Sequence, residues 1–289
     1  MTLSVCRSVA ELSAALMAAR AGGQSIGLVP TMGNLHAGHL SLVAAARGRC
    51  DTVVASIFVN PTQFGPNEDF QRYPRTPEQD LAQLEAHGVD AVFMPDVDEM
   101  YPLGERDAIR LEVPGLSEVL CGAHRPGHFA GVASVVLRLF LDVRPDVAVF
   151  GRKDLQQLAV IRRLVEDFRL PIDVVGMPTC RESDGLAMSS RNQYLSESER
   201  AQAPVLHAVL SQMLAAAQQG DPWGDVCTVG RQCLQDAGFK VDYVALRPES
   251  DLVSDEPQRI GAPDDLVALA AARLGSTRLI DNVALSEGV

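Results

Sequence analysis

The sequence lacks the surplus of basic residues that a nucleic-acid-binding surface requires. Its 289 residues contain 25 Lys and Arg against 37 Asp and Glu, which gives a formal net charge of −12 at pH 7. Because proteins bind phosphate backbones mainly through clustered cations, this charge argues against a nucleic-acid partner. Any polyphosphate ligand must therefore be bound by a small number of local groups.

Cysteine pairs and a long apolar N-terminal run are absent as well. The six cysteines form no C-x-x-C pair and no cluster with histidine, so neither a disulfide framework nor a structural zinc site is expected. The first twenty residues, MTLSVCRSVAELSAALMAAR, are interrupted by polar residues and resemble neither a signal peptide nor a membrane anchor. We expect a cytoplasmic protein that does not contact a membrane.

The apolar residues that are present, 47% of the chain, are sufficient for a large core. Short apolar runs typical of buried parallel strands occur at 25–30, 51–59, 90–95, 146–151 and 172–178. Amphipathic segments with helical spacing lie between them, at 39–50, 77–88 and 154–168. This alternation predicts an α/β fold with a doubly wound, Rossmann-like parallel sheet, which binds ligands at the carboxyl ends of its strands.

The pattern changes after Arg191. An Ala- and Gln-rich helical stretch at 196–220 is followed by a strand-like run at 241–248 and by two runs split at Gly275 and Ser276. These features predict a smaller α+β domain that ends in a hairpin. We expect an N-terminal domain at 1–177 and a C-terminal domain at 178–289.

The stretch VPTMGNLHAGHLSLVAAAR, residues 29–47, places two histidines where the first predicted strand passes into a helix. Gly33 is expected in a turn and the helix is expected to start near Gly38, so unpaired backbone N–H groups and the helix dipole favour a phosphate there. His36 and His39, three residues apart, would donate hydrogen bonds from one side of the helix. Alternatives are surface or capping histidines, or a zinc site, for which a third ligand is not evident.

Two later segments carry cations and hydroxyls. In FGRKDLQQ, Gly151 ends a predicted strand, Lys153 offers an ammonium to phosphate oxygens, and Asp154 can accept from a ribose hydroxyl. In GLAMSSRN, serine hydroxyls precede the guanidinium of Arg191, which suits a leaving pyrophosphate. Taken alone, the first segment is typical of a solvated helix start and the second of a turn.

The PTMGNLHAGH block resembles the HxGH signature of the nucleotidyltransferase superfamily, which includes class I aminoacyl-tRNA synthetases. Its longer form is similar to that of the pantothenate synthetase (pantoate–β-alanine ligase) family. Further blocks at 58–76, 124–132, 150–165 and 181–196 resemble the same family in the same order. MSSRN resembles the superfamily's KMSKS-type loop, with serines in place of the lysines.

The resemblance implies a ligase that forms a C–N bond. Such an enzyme condenses (R)-pantoate with β-alanine at the expense of ATP and gives pantothenate, AMP and pyrophosphate through an enzyme-bound pantoyl adenylate. No covalent bond to the enzyme is needed, so the protein contributes positioning and charge stabilisation. The resemblance also implies Mg²⁺ and a homodimer formed through the N-terminal domain.

Site residues carried over from the family fall into four groups. His36, His39, Lys153 and Arg191 are the predicted catalytic residues. The predicted ATP-binding residues are Met32, Gly33, Asn34, Leu35, His36, Ala37, Gly38, His39, Gly151, Arg152, Lys153, Asp154, Cys180, Met188, Ser189, Ser190 and Arg191. Gln63 and Gln157 are assigned to pantoate, and Gln63 also to β-alanine. Asp80 is a candidate Mg²⁺ contact, although a solvated acidic helix face explains it equally.

Two other functions remain open at this point. Another HxGH-type nucleotidyltransferase, an adenylyl- or cytidylyltransferase, would use the same histidines without an amine step, and Gln63, Gln157 and the MSSRN loop argue against it. A non-catalytic nucleotide-sensing module would keep the glycines for binding. It would have no need of His36, His39, Lys153 and Arg191 together.

Overall fold

The computed structural model describes residues 3–287, which divide into two compact units. The first unit contains the described residues up to Glu118, together with Arg125–Arg152 and Gln157–Met177; the second contains Val119–His124, Lys153–Gln156 and the described residues from Pro178 onward. The sequence predicted one division after residue 177, without the two short segments. They belong to the second unit because they are bonded within it: Gln156 Oε1 accepts the Cys121 N–H, and the Lys153 carbonyl accepts from Asn282.

The first unit is built on a six-stranded sheet. Its strands are β1 (Ser4–Cys6), β2 (Ile26–Thr31), β3 (Thr52–Ile57), β4 (Ala91–Phe93), β5 (Val147–Gly151) and β6 (Asp173–Met177). They lie in the order β1-β4-β3-β2-β5-β6, and all neighbours are parallel. The predicted Rossmann-like parallel sheet is confirmed. Only β1 was missed, because three residues carry no readable periodicity.

Helices connect these strands. In chain order they are α1 (Val9–Ala21), α2 (Ala37–Arg47), α3 (Pro77–Ala86), α4 (Val97–Met100), α5 (Cys121–His124), α6 (His128–Val143) and α7 (Leu155–Asp167), of which α5 belongs to the second unit. Helix α2 packs on β2, β3 and β5, and α1 packs on α6. The buried core under α2 includes Val29, Val43, Val53 and Val149.

The sheet opens between β2 and β5 at their carboxyl ends. Pairing of these strands stops at Leu28 and Ala148, although each strand continues for three more residues. The Ile26 carbonyl accepts a hydrogen bond from the β5 side. Backbone groups of alternate residues in a strand face the same neighbour, so Pro30 also faces β5. Because the two strands are no longer paired at Pro30, its missing N–H costs no hydrogen bond between strands. The chain reverses its direction of travel across the sheet at this point, which is where open α/β sheets bind ligands.

The second unit is an α+β structure, as the sequence predicted. It contains α8 (Glu197–Gln202), α9 (Val205–Gln218), α10 (Trp223–Asp236), β7 (Lys240–Pro248), β8 (Leu266–Leu274) and β9 (Thr277–Ala284). The strands form an antiparallel sheet in the order β7-β8-β9, and the predicted hairpin turn is present at Gly275 and Ser276. The helical stretch predicted at 196–220 is two helices, because Pro204 has no backbone N–H with which to continue the hydrogen bonding of α8.

Within residues 3–287, none of the helices combines the length and the apolarity that a membrane span requires.

Candidate active site

A sharp turn follows β2, and Asp80 of α3 holds it in place. Gly33 and Asn34 both adopt left-handed backbone conformations, with φ of +78° and +51°. The Asn34 and Leu35 N–H groups donate to the two carboxylate oxygens of Asp80, at 2.9 and 2.8 Å. A Cβ on Gly33 would lie 3.0 Å from Asp80 Oδ2, so the turn leaves room only for glycine.

Asp80 is buried and accepts three hydrogen bonds from protein groups. Its side chain is 1% exposed, and the Thr76 hydroxyl adds a third hydrogen bond at 3.2 Å. Over residues 3–287, no group of three or more His, Cys, Asp or Glu is arranged to hold a metal ion. The turn explains this buried carboxylate without a metal, and the expected Mg²⁺ contact of Asp80 stays a prediction.

The two predicted histidines form a capping box at the start of α2. His36 is the N-cap residue, and its Nδ1 accepts the Gly38 N–H at 3.1 Å. The His39 Nδ1 accepts the backbone N–H of His36 at 3.3 Å. The ring centroids lie 4.1 Å apart, so the two side chains share one side of the helix start, as their spacing predicted. A neutral imidazole that accepts at Nδ1 carries its proton on Nε2, which leaves each ring an Nε2–H donor.

Several backbone N–H groups that the sequence predicted to be unpaired in this turn have acceptors within the protein. The N–H groups of five residues have protein acceptors: Gly33 donates to Thr31, Asn34 and Leu35 donate to Asp80, His36 donates to His39, and Gly38 donates to His36. Asp80 of α3 supplies two of these acceptors, although it lies 46 and 45 residues from Asn34 and Leu35 in sequence. The imidazoles of His36 and His39 are the predicted side-chain donors of this segment.

Gln63 lies in the 3-10 turn Pro61–Gln63 that follows β3. Its Oε1 accepts from Asn60 Nδ2 at 3.1 Å, and its Nε2 donates to Met32 Sδ at 3.1 Å. Asn60 is 1% exposed, and its Oδ1 accepts from the Tyr101 hydroxyl at 2.7 Å. Burial raises the pKa of Tyr101, which keeps this hydroxyl a donor. The amide of Gln63 is thus oriented by neighbours, and each of its ends retains capacity for a further hydrogen bond.

The main chain at Gln63 is held by a network of His128, Arg125 and Glu68. His128 Nδ1 lies 2.8 Å from the Gln63 carbonyl oxygen, and Arg125 lies 2.9 Å from His128 Nε2. Arg125 also forms a bidentate pair with Glu68, with both N–O distances 2.6 Å. Burial alone raises the pKa of Glu68, but the hydrogen bonds and charge of Arg125 outweigh it and lower the pKa from 4.5 to about 2. Arg125 and His128 thus support a predicted substrate residue.

Gly131 of α6 allows the close approach of this turn. A Cβ built on Gly131 would lie 2.4 Å from the Thr62 carbonyl oxygen and 2.8 Å from the Gln63 Cα. Backbone atoms cannot yield as a flexible side chain can. The position of Gln63 therefore depends on a glycine 68 residues later in the chain.

The segment after β5 contains two adjacent glutamines with different surroundings. Gly151 ends the strand, and a Cβ built on it would have no atom within 4 Å. The 3-10 turn Arg152–Asp154 follows. The Lys153 Nζ lies 3.6 Å from Asp154 Oδ2. Gln156 is buried and bonded to the backbone of Cys121 and Val119, whereas the predicted substrate residue Gln157 is half-buried. The structure therefore gives Gln156 a structural role.

The segment 180–191 forms a small closed loop in the second unit. The Met188 N–H donates to the Cys180 carbonyl at 2.9 Å, which brings the two predicted nucleotide residues together. The Ser189 hydroxyl accepts the Arg191 N–H at 3.3 Å, so the 3-10 turn Ser190–Tyr194 begins with a serine cap. Asn192 Nδ2 donates to the Ala187 carbonyl at 3.1 Å. The predicted hydroxyl and guanidinium groups thus lie on one ordered turn.

Sequence comparison finds similar proteins over nearly the whole chain. A family model described as pantoate-beta-alanine ligase matches residues 4–284. A pantothenate synthetase from Xanthomonas euvesicatoria is 57% identical over 261 residues, which make up 90% of this chain and 92% of that protein.

Solved structures show the same architecture. A pantothenate synthetase from Thermus thermophilus is 47% identical, with a TM-score of 0.89 and coverage of 98% of this chain and 99% of that one. A pantoate-beta-alanine ligase from Francisella tularensis is 32% identical, with a TM-score of 0.81 and 99% coverage of both chains. That structure is described as complexed with beta-gamma ATP and beta-alanine.

Proposed function

The chain belongs to the pantoate-beta-alanine ligase family, and from that premise we propose how its residues carry out the family reaction. The protein is an ATP-dependent ligase that joins pantoate to β-alanine by a C–N bond. In the mechanism that we propose, the pantoate carboxylate attacks the α-phosphorus of ATP and pyrophosphate leaves. The β-alanine amine then attacks the acyl carbon of the pantoyl adenylate, loses a proton and displaces AMP.

The observation that carries this proposal is the pair of imidazoles at the carboxyl end of β2. Their Nδ1 atoms accept backbone N–H groups at 3.1 and 3.3 Å, which assigns the ring proton to Nε2, the nitrogen through which we propose that each ring donates to a phosphoryl oxygen. Negative charge on those oxygens rises as the carboxylate attacks, and fixed donors stabilise it. We assign His39 and His36 this role, and assign Lys153 and Arg191 to the phosphate oxygens and the departing pyrophosphate.

We assign the two small substrates to the glutamines. Gln63 has its amide oriented by Asn60 and Met32, and its main chain is held at the carbonyl by His128. An amide both donates and accepts, which suits the hydroxyls of pantoate, and we place β-alanine beside Gln63 as well. Gln157 of α7 is the second proposed pantoate residue.

Three further assignments complete the proposal. Mg²⁺ enters bound to the ATP phosphates, since the oxygens of Asp80 already accept backbone N–H groups. Two chains associate through the first unit, whose Leu103 and Ile109 side chains are 78% and 77% exposed. The cytoplasm is the compartment, in keeping with six free thiols.

Isotope exchange tests the adenylation step directly. Folded protein given labelled pyrophosphate, ATP and pantoate alone should transfer label into ATP, and AMP should appear only after β-alanine is added. The chain has two lysines, Lys153 and the exposed Lys240, which supply a matched pair. Lys153→Ala should slow exchange by more than about 100-fold, the usual effect of losing one transition-state donor, whereas Lys240→Ala should leave it unchanged.

Either of two results would overturn the proposal. Folded protein that shows no pantoate-dependent exchange does not form the adenylate. Exchange that proceeds without pantoate, or only with a phosphate-bearing acceptor, would identify another HxGH-type nucleotidyltransferase.

A further inference from the structure

We propose that Asp281 and Asn282, two adjacent residues of β9, are positioning residues for adenylate formation. They anchor the two segments of the second unit to which phosphate contacts are assigned above, the turn at Lys153 and the loop that ends in Arg191. The inference rests on the proposed function of those two cations. It goes further because it assigns a role in the reaction to the C-terminal strand, which carries none of the recognised motifs.

Asn282 holds the Lys153 turn. Its Nδ2 donates to the Lys153 carbonyl at 2.9 Å, across 129 residues of sequence. Asn282 is 2% exposed, so this hydrogen bond forms away from competing water. The bond fixes the main chain of Lys153, the residue whose ammonium group is proposed to contact the phosphates.

Asp281 holds the 180–191 loop through Arg181. The Arg181 guanidinium donates to the two carboxylate oxygens at 2.7 and 3.1 Å and to the Asn282 carbonyl at 2.9 Å. It also donates to the Gly185 carbonyl at 3.1 Å, which closes the loop on itself. A planar guanidinium with four such acceptors allows little movement of the chain that carries it. The Asp281 side chain is only 2% exposed.

The two anchors share one strand, and this determines how the segments lie with respect to each other. Successive side chains of a strand point to opposite faces, so Asp281 and Asn282 extend in opposite directions from neighbouring Cα atoms. Ala270 and Leu269 pair with them in β8, which places both anchors in the regular part of the hairpin. The cation at position 153 and the loop ending at Arg191 are therefore held by a single rigid element.

The hairpin places these two polar side chains among apolar neighbours. The neighbouring positions of β8 and β9 are filled by buried apolar residues, and a buried carboxylate or amide is costly unless its hydrogen bonds are satisfied. Replacing such groups by apolar side chains is often neutral or stabilising for folding. Their partners are the Lys153 turn and the 180–191 loop, which points to positioning as their role.

Asn282→Asp is the principal test, because it keeps the shape of the side chain and removes the Nδ2 donor. We expect pantoate-dependent pyrophosphate exchange to fall by at least about tenfold, the scale of a small misplacement of a catalytic group. Single-turnover transfer from preformed pantoyl adenylate to β-alanine should change less than twofold. Asn282→Gln, which retains an amide donor, should recover part of the exchange rate.

Asp242→Asn is the matched control. It removes the negative charge from the half-buried pair between Asp242 and Arg278, whose atoms are 2.8 Å apart in the same sheet, and changes no group that bonds to Lys153 or Arg181. If Asn282→Asp or Asp242→Asn only lowered folding stability, the rates of pyrophosphate exchange and of transfer to β-alanine should fall together. If Asn282→Asp does not fold, Asn282→Ala serves instead, since it creates space rather than an unpaired charge.

A spectroscopic readout is independent of activity. Reductive methylation with ¹³C-formaldehyde labels the N-terminus and the two lysines, and Lys240→Arg identifies the Lys153 signal. We expect this signal to shift in Asn282→Asp and to stay in place in Asp242→Asn.

The outcomes separate this inference from the function on which it rests. Normal exchange in Lys153→Ala would remove the assigned role of Lys153 itself. The positioning role alone would be overturned if Lys153→Ala lost most of its exchange activity while folded Asn282→Asp exchanged at the wild-type rate. It would also be overturned if Asn282→Asp lost both half-reactions equally.

Discussion

The Nδ1 atom of His39 accepts the backbone N–H of His36 at 3.3 Å. In the mechanism proposed above this ring has two tasks, because it completes the capping box of α2 through Nδ1 and donates to a phosphoryl oxygen through Nε2. We therefore expect stability and catalysis to depend on the same side chain, and substitutions that retain either the Nδ1 acceptor or the Nε2 donor can separate the two effects.

Substitutions of His39 by Asn and Gln test this division. The amide oxygen of Asn lies near the position of Nδ1 and can retain the cap, whereas the amide nitrogen of Gln lies near Nε2 and can retain the donor. We expect His39→Asn to keep its stability and to lose at least about 100-fold in pyrophosphate exchange. His39→Gln should exchange pyrophosphate faster than His39→Asn. Its free energy of unfolding, measured in urea, should be lower than that of His39→Asn by about 1 kcal/mol. The reverse ranking would show that the ring does not donate through Nε2.

The Glu68–Arg125 pair should make stability depend on pH below neutrality. The pKa of Glu68 is about 2 in the folded state against 4.5 normally, so its stabilising effect is fully present above pH 4.5 and declines as the pH falls toward 2. At pH 7 the pair contributes up to about 3 kcal/mol. Urea unfolding at pH 7, 4 and 3 should show that the difference in free energy of unfolding between wild type and Glu68→Gln becomes smaller as the pH falls. A gap that stays constant would contradict the assigned pKa.

A methyl group at position 131 should displace Gln63, the proposed pantoate residue. The Cβ of Gly131→Ala would lie 2.4 Å from the Thr62 carbonyl oxygen, so the 3-10 turn must move. We expect a loss of about 1–3 kcal/mol from overpacking and a rise of about tenfold or more in the KM for pantoate. Gly48→Ala is the control, since the nearest atom to its Cβ position is 3.6 Å away. An unchanged KM for pantoate in folded Gly131→Ala would contradict the link.

Asp80→Asn distinguishes a turn-holding carboxylate from a metal ligand. An Asn side chain offers one acceptor oxygen where Asp80 now accepts from both Asn34 and Leu35. Leaving one buried N–H unsatisfied should cost about 1–3 kcal/mol of stability. The Mg²⁺ concentration that half-saturates exchange at fixed ATP should stay the same. A large increase in that concentration would instead identify Asp80 as a contact of the ion.

The order of strands and helices was largely readable from the sequence. The runs at 25–30, 51–59 and 146–151 became β2, β3 and β5 within one or two residues, because a buried strand needs a local apolar run. Helix α10 escaped prediction, as did the break between α8 and α9. Their positions are set by packing against the second sheet and by a proline, and sequence periodicity reports packing only weakly.

The sequence by itself determined the local chemistry of the site: two imidazoles at a helix start, a lysine after a strand, and an arginine after two serines. The tertiary structure decided which groups support them. Asp80 reaches Asn34 across 46 residues, His128 reaches Gln63 across 65, and Asn282 reaches Lys153 across 129. Such partners leave no local pattern, because a hydrogen bond requires proximity in space and sets no spacing along the chain.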